Sequence, residues 1–269
     1  MNLSICAPNR QFRNEFSCFS LDSLKKIANA YNKKSNKNII QISDDIHSLH
    51  KQISKNLSKI CTNEACWAEQ SFVQNLNDEK INDYTFKPVR PKGKTAWLST
   101  TDIRKVMKQF ERKFKDFVFL GPVPIDFDDI YTEIADIDFK ELMKNGKTKM
   151  GIVFNLDEHY KSGSHWVAAY AEWSDKLGEV SYYDSYGHDP NKRVVTLMNR
   201  LVKKAKKDIN KNLEIKINKN RTQYKNSECG PYSMNYILHR VMGDSFEETA
   251  NNLIKDDIMN DRRDLFYRS

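Results

Sequence analysis

Four residues carry the side-chain types that acyl transfer needs: a thiol at Cys229, an imidazole at His165, a carboxylate at Asp184 and an amide at Gln223. A thiolate nucleophile requires a base, and that base requires an acceptor on its second nitrogen. Cys229 stands where a polar, turn-rich run gives way to an apolar pattern of helical period. Met234, Ile237, Leu238 and Val241 fall at i, i+3, i+4 and i+7, one face of a helix. Pro231 suits a first helical position and Gly243 a left-handed end. The thiol is thus expected at the positive end of a helix, where free N–H groups favour its ionised form. A buried cysteine packing as a small hydrophobe is the bland alternative, and only its companions argue against that.

His165 opens one strand pattern, HWVAAYAE, and Asp184 closes the next, EVSYYD, with the turn-like SDKLG between them. Folded as an antiparallel hairpin about that turn, the two side chains lie directly opposite, with Cβ atoms roughly 5 Å apart. A slip of one residue would send them to opposite faces. The remaining histidines fit the role less well. His159 and His188 sit in acid-flanked loops and read as solvated, and His239 is about three helical turns from Cys229. His47 and His50 with Cys61 and Cys66 outline a metal-like set, but their spacing fits no zinc module and packing is preferred. No metal and no cofactor is expected. The oxyanion formed in acyl transfer needs aimed donors, for which the Cys229 backbone N–H and the Gln223 amide are the candidates. A lone glutamine in a polar loop is usually just solvated, so Gln223 gains its role from its company.

The elements that must position these groups are an α+β set. Residues 1–90 are polar and mainly helical, with stripes Leu24/Ile27/Ala28/Tyr31 and Ile46/Leu49/Ile53/Leu57/Ile60, and a third helix expected over 65–76. A charged, proline-bearing run then marks a domain boundary near residue 90, leaving 91–269 as the second domain. Beyond it, Thr100 or Thr101 is expected to cap a helix carrying Ile103, Val106, Met107 and Phe110. Strands are expected at 117–120, 151–155, 165–172, 179–184 and 213–217, and an amphipathic helix at 192–209. Ser245 and Glu248 form a capping box for a last helix.

Composition narrows the class. No stretch approaches the roughly 20 apolar residues of a membrane span, and MNLSICAPNRQFRNEF holds no apolar signal core. Five cysteines are an odd number, so a disulfide framework is not expected and a reducing compartment is. A formal charge of +8 admits a weak polyanion or DNA contact, with Lys203, Lys204, Lys206 and Lys207 on one helix as its candidate face. Such lysine runs are usually only solvated.

Taken together, His-Trp at 165–166, Asp-Ser at 184–185 and Gln-x5-Cys-Gly at 223–230 resemble the ubiquitin-like-protein-specific cysteine proteases. That clan includes the SUMO-deconjugating enzymes, the adenovirus protease and the polyprotein proteases of large DNA viruses of the African swine fever type. The match spans roughly 97–260. It implies a papain-like, adenain-like core with a central mixed sheet and flanking helices. It also implies His165 as base, Asp184 as its orienter, Gln223 in the oxyanion hole and Cys229 as nucleophile. The Cys-x4-Cys at 61–66 and the helical extension are similar to the African-swine-fever-type protease, which implies viral polyprotein processing in host cytoplasm or virion. Trp97-Leu98 followed by Ile103 is similar to a SUMO-protease stretch whose Trp, with the Trp after the catalytic His, clamps a Gly-Gly tail. On that resemblance Trp97 and Trp166 bind substrate. Thr100 stands where the family places an Asp, which favours a viral Gly-Gly-x precursor over SUMO or ubiquitin. The alternatives are a SUMO or ubiquitin-like deconjugating isopeptidase and an acetyltransferase effector of the same clan. A basic binding module ranks below both.

Overall fold

A computed structural model of the chain describes residues 5–9, 16–174 and 177–269. The chain divides into two compact units, residues 1–89 with 267–269, and residues 90–266.

In the first unit, helices Leu21–Ser35 and Ile46–Leu57 start where Ser20 and Asp45 accept N–H groups of the first turn. Most of the apolar stripes read from sequence are buried, Leu24, Ile27, Leu49, Ile53 and Leu57 being inaccessible to solvent, but the second helix ends at Leu57 and leaves Ile60 exposed beyond it. The helix expected over 65–76 is two pieces, Glu64–Glu69 and Ser71–Gln74, because Gln70 adopts an extended backbone between them. Glu64 is buried yet satisfied, accepting from Ser17 Oγ at 2.5 Å, the Cys18 N–H at 3.0 Å and His50 Nε2 at 2.8 Å.

Cysteine usage differs from expectation. Cys6 pairs with Cys18 and Cys61 with Cys66, leaving Cys229 as the free thiol. An odd total thus resolves as two local staples plus one unpaired residue, and the ground for a reducing compartment falls away. Cys61 and Cys66, paired to each other, are not thiolate ligands for a metal. Among the described residues no cluster of histidine, cysteine and carboxylates could hold a metal ion, and no helix is long and apolar enough to cross a membrane.

The second unit is built on a six-stranded mixed sheet: β1 Phe117–Phe119, β2 Val123–Pro124, β3 Lys149–Asn155, β4 Trp166–Glu172, β5 Leu177–Tyr183 and β6 Asn212–Ile217. The order is β1-β3-β4-β5-β6, with β2 also on β3. β3, β4 and β5 run antiparallel to one another, while β6 joins β5 in parallel after the helix Lys192–Ile209 crosses over. That crossover helix buries Val194, Leu197, Met198, Leu201 and Ala205 on one sheet face and leaves its lysines outside.

The opposite face receives the helix Cys229–Met242. It is buried far beyond the four-residue stripe seen in sequence, with only His239 partly exposed and Met242 exposed. Its polar residues are accounted for individually. Ser233 Oγ donates to the Trp166 carbonyl at 3.1 Å, Tyr236 to Ser181 Oγ at 2.7 Å, and Arg240 to Glu179 at 2.5 Å. Gly151 in β3 lets the helix sit close, since a Cβ there would come within 2.8 Å of Ile237. Gly243 ends the helix at φ 106°.

Candidate active site

The β4–β5 ladder pairs Ala168 with Tyr183 and Glu172 with Glu179. Carried three residues past the Ala168–Tyr183 pair, that register sets His165 opposite Tyr186, two residues beyond the direct partner expected. The shift is fixed by the pair Glu172–Glu179 at the turn end of the ladder, where direct opposition of His165 and Asp184 would have required Glu172 opposite Leu177. A shift of two keeps the face, because strand side chains alternate with period two. His165 and Asp184 therefore meet diagonally, and His165 Nε2 donates to Asp184 Oδ1 at 2.6 Å. The same oxygen accepts the Tyr186 N–H at 2.8 Å, and His188 Nδ1 stands 3.5 Å from Oδ2. Asp184 is wholly buried and His165 nearly so.

With Nε2 committed to Asp184, Nδ1 is the nitrogen left for Cys229. Burial pulls the His165 pKa down, but hydrogen bonding and charge from Asp184, then from Cys229, outweigh it and raise the value from 6.5 to about 9. Near neutral pH the ring is an imidazolium held between a carboxylate and a thiol.

Cys229 is the first residue of its helix, and Glu228 before it makes no side-chain cap. The contrast within this unit is plain: Ser99 and Ser245 close reciprocal capping boxes on the helices Thr100–Lys113 and Phe246–Asn251. First-turn N–H groups have no intrahelical partner, and the residue before Cys229 leaves them uncapped. The Ser99–Asp102 box also replaces the cap expected at Thr100 or Thr101, making Thr100 the first helical residue.

Gln223 is fully buried rather than solvated. Ser185 Oγ donates to its Oε1 at 2.6 Å, and its Nε2 donates to the Lys225 carbonyl at 2.8 Å. An amide nitrogen carries two hydrogens, so one donor remains. Asp184 and Ser185, adjacent in sequence, thus hold the imidazole and the amide respectively.

Trp97 and Trp166 line one cleft of about 460 Å³ but in unlike ways. Trp166 is 6% exposed and donates its indole N–H to the Leu98 carbonyl at 2.9 Å, whereas Trp97 is 53% exposed. Leu98 in turn rests on Gly230, where a Cβ would lie 3.0 Å from its Cδ1. A residue that sequence reasoning passed over is Tyr186, stacked on His165, for which aromatic identity alone carried no signal; Leu98 was read only as part of the Trp97-Leu98 stretch, with no contact assigned to it. His159, read as solvated, donates through Nδ1 to buried Asp126 at 2.6 Å on the rim of the tryptophan cleft. His239 bonds Asp244 at the far end of its helix.

Residues 145–268 match the C-terminal catalytic domain of the Ulp1 protease family. A protein of Acanthamoeba polyphaga mimivirus designated a thiol protease is 31% identical over 286 residues, covering 99% of this chain and 94% of its own. A cysteine protease of African swine fever virus is 24% identical over 247 residues, covering 82% of this chain and 90% of its own. The crystal structure of the African swine fever virus protease superposes with a TM-score of 0.74 at 22% identity, over 99% of this chain and 96% of that one.

Proposed function

This chain belongs to the Ulp1 protease family of cysteine proteases, and from that premise we propose that it is an endopeptidase cleaving after Gly-Gly through a Cys229–His165–Asp184 triad. One observation carries the reading: His165 is bonded to Asp184 through one nitrogen, and Cys229 helps raise its pKa from the other side. In the first step the Cys229 thiolate attacks the scissile carbonyl. The oxygen that gains charge is met by the Cys229 N–H and the free donor of Gln223. His165 gives its proton to the departing amine, and the acyl group remains as a thioester on Sγ. Water, deprotonated by the now neutral His165, then releases the acid and restores the thiol.

Trp166, fixed from behind, and Trp97, free at the rim, suit the two sides of a slot that admits residues without a Cβ. The substrate we propose is a viral polyprotein with Gly-Gly-x sites, processed in the host cytoplasm or the particle. Residues 1–90 would recruit it, so their deletion would impair precursor cleavage more than peptide cleavage. Turnover of Gly-Gly-Ala peptides by the wild type and by Cys229→Ala tests the proposal. Loss of about 10³-fold or more is expected, and undiminished cleavage by the variant would sink it.

A further inference from the structure

We propose that the cleft beside Arg221 is the subsite for the residue following the scissile bond, and that it takes an acidic side chain; this rests on the Gly-Gly reading above. The cleft has a volume of about 670 Å³ and is lined by Tyr186, His188, Arg221, Tyr224, Lys225 and Ser227 among others. It shares no residue with the cleft that holds Trp97 and Trp166. Each is lined by a neighbour of His165: Trp166, which follows it in the chain, in one, and Tyr186, which stacks on its ring, in the other. The proposed route takes a peptide whose glycines lie between the two tryptophans past His165 toward Tyr186. His165 is also the proton donor to the departing amine, so the leaving segment passes on this side.

The chemistry of this cleft is one-signed. No aspartate or glutamate lines it, whereas Asp157 and Glu158 line the tryptophan cleft. Lys225 is already paired with Asp257 at 2.5 Å. Asp256 behind the loop is occupied by the N–H groups of Tyr224 and Lys225, at 2.9 and 2.8 Å. Arg221 is the cation left over. Its Nε donates to the Gln223 carbonyl at 2.9 Å, and its guanidinium lies 5.4 Å from the Tyr186 ring centre and 4.8 Å from that of Tyr224. Two aromatic neighbours and one fixed nitrogen orient the planar fork, and among the described residues no carboxylate pairs with its terminal nitrogens. Such a pre-set fork is shaped for a carboxylate taken through two parallel hydrogen bonds.

The test compares peptides that differ only in Glu, Gln or Lys at the first position after Gly-Gly. The wild type should favour Glu over Gln in kcat/KM by about fivefold to tenfold, as one charge-assisted contact provides. Arg221→Gln should bring that ratio near one, and Arg221→Glu should favour Lys over Glu, a gain that poor folding cannot produce. Equal cleavage of the Glu and Gln peptides by the wild type, or a Glu preference that survives Arg221→Gln, overturns the subsite and leaves the Gly-Gly reading standing. Cleavage of none of them overturns the Gly-Gly reading and the subsite with it.

Discussion

The ring of Tyr186 lies over that of His165, with centroids 4.7 Å apart and planes 25° from parallel. Because the Tyr186 N–H also bonds Asp184 Oδ1, one residue holds the imidazole by its face and the carboxylate by its edge. Tyr186 is a positioning residue here. Tyr186→Phe keeps the stack and should retain near wild-type kcat, while Tyr186→Ala should lower kcat by about tenfold with little change in KM. Equal loss in both variants would point instead to the phenol, which donates to the Lys225 carbonyl.

The pH profile should show His165 directly. A pKa raised to about 9 means the proton for the leaving amine is present at neutrality and lost above about pH 9. The alkaline limb of kcat/KM should therefore fall near pH 9, and Asp184→Asn, which removes the negative partner, should move that limb downward. Stability follows the same sign. The folded value exceeds the ordinary 6.5, so the contribution of the charged ring is whole below about pH 6.5 and gone above about 9. The Tm advantage of wild type over Asp184→Asn should narrow across that window.

Gln223 is held by Ser185, and the two should be separable from the nucleophile. Gln223→Ala should cost about 10²-fold in kcat, the usual toll of losing one oxyanion donor. Ser185→Ala leaves the amide in place, held only through its bond to the Lys225 carbonyl, and should cost less, again in kcat. A change confined to KM in both would remove Gln223 from the oxyanion hole.

The two tryptophans should respond oppositely. Trp166→Ala empties a buried site and should destabilise the protein by about 3–5 kcal/mol, read as a fall in Tm. Trp97 is half exposed, so Trp97→Ala should leave Tm almost unchanged while relaxing selectivity, with Gly-Ala-x peptides gaining relative to Gly-Gly-x. Unaltered selectivity would place Trp97 outside the slot.

Loss of the longer disulfide should cost the first unit more. Loop-closure entropy gives about 3 kcal/mol for a link of the Cys6–Cys18 span and about 2 kcal/mol for that of Cys61–Cys66. Chemical denaturation of the two double serine variants measures the order.

Much of this site was legible in the chain because its markers are local. The end of the Cys229 helix at Gly243, the crossover helix over 192–209 and the face shared by His165 and Asp184 all follow from spacing, whereas the helix starts at Cys229, two residues before the start that Pro231 suggests. What escaped were contacts set by distant partners. The hairpin register differed by two residues from the symmetric one, which no local pattern states. The near-complete burial of the Cys229 helix depended on partners for Ser233, Tyr236 and Arg240 that lie elsewhere in sequence. Paired cysteines were missed because a count carries parity but not proximity.

Gly230 shows what such distant contacts imply. Its backbone needs no left-handed angle, so the residue is there to leave room for Leu98, whose carbonyl holds the indole of Trp166. The wall of the tryptophan cleft and the mount of the thiol are therefore one mechanical part. A methyl group added at 230 would push on both at once, so what the enzyme selects and how fast it cuts are set to drift together rather than separately.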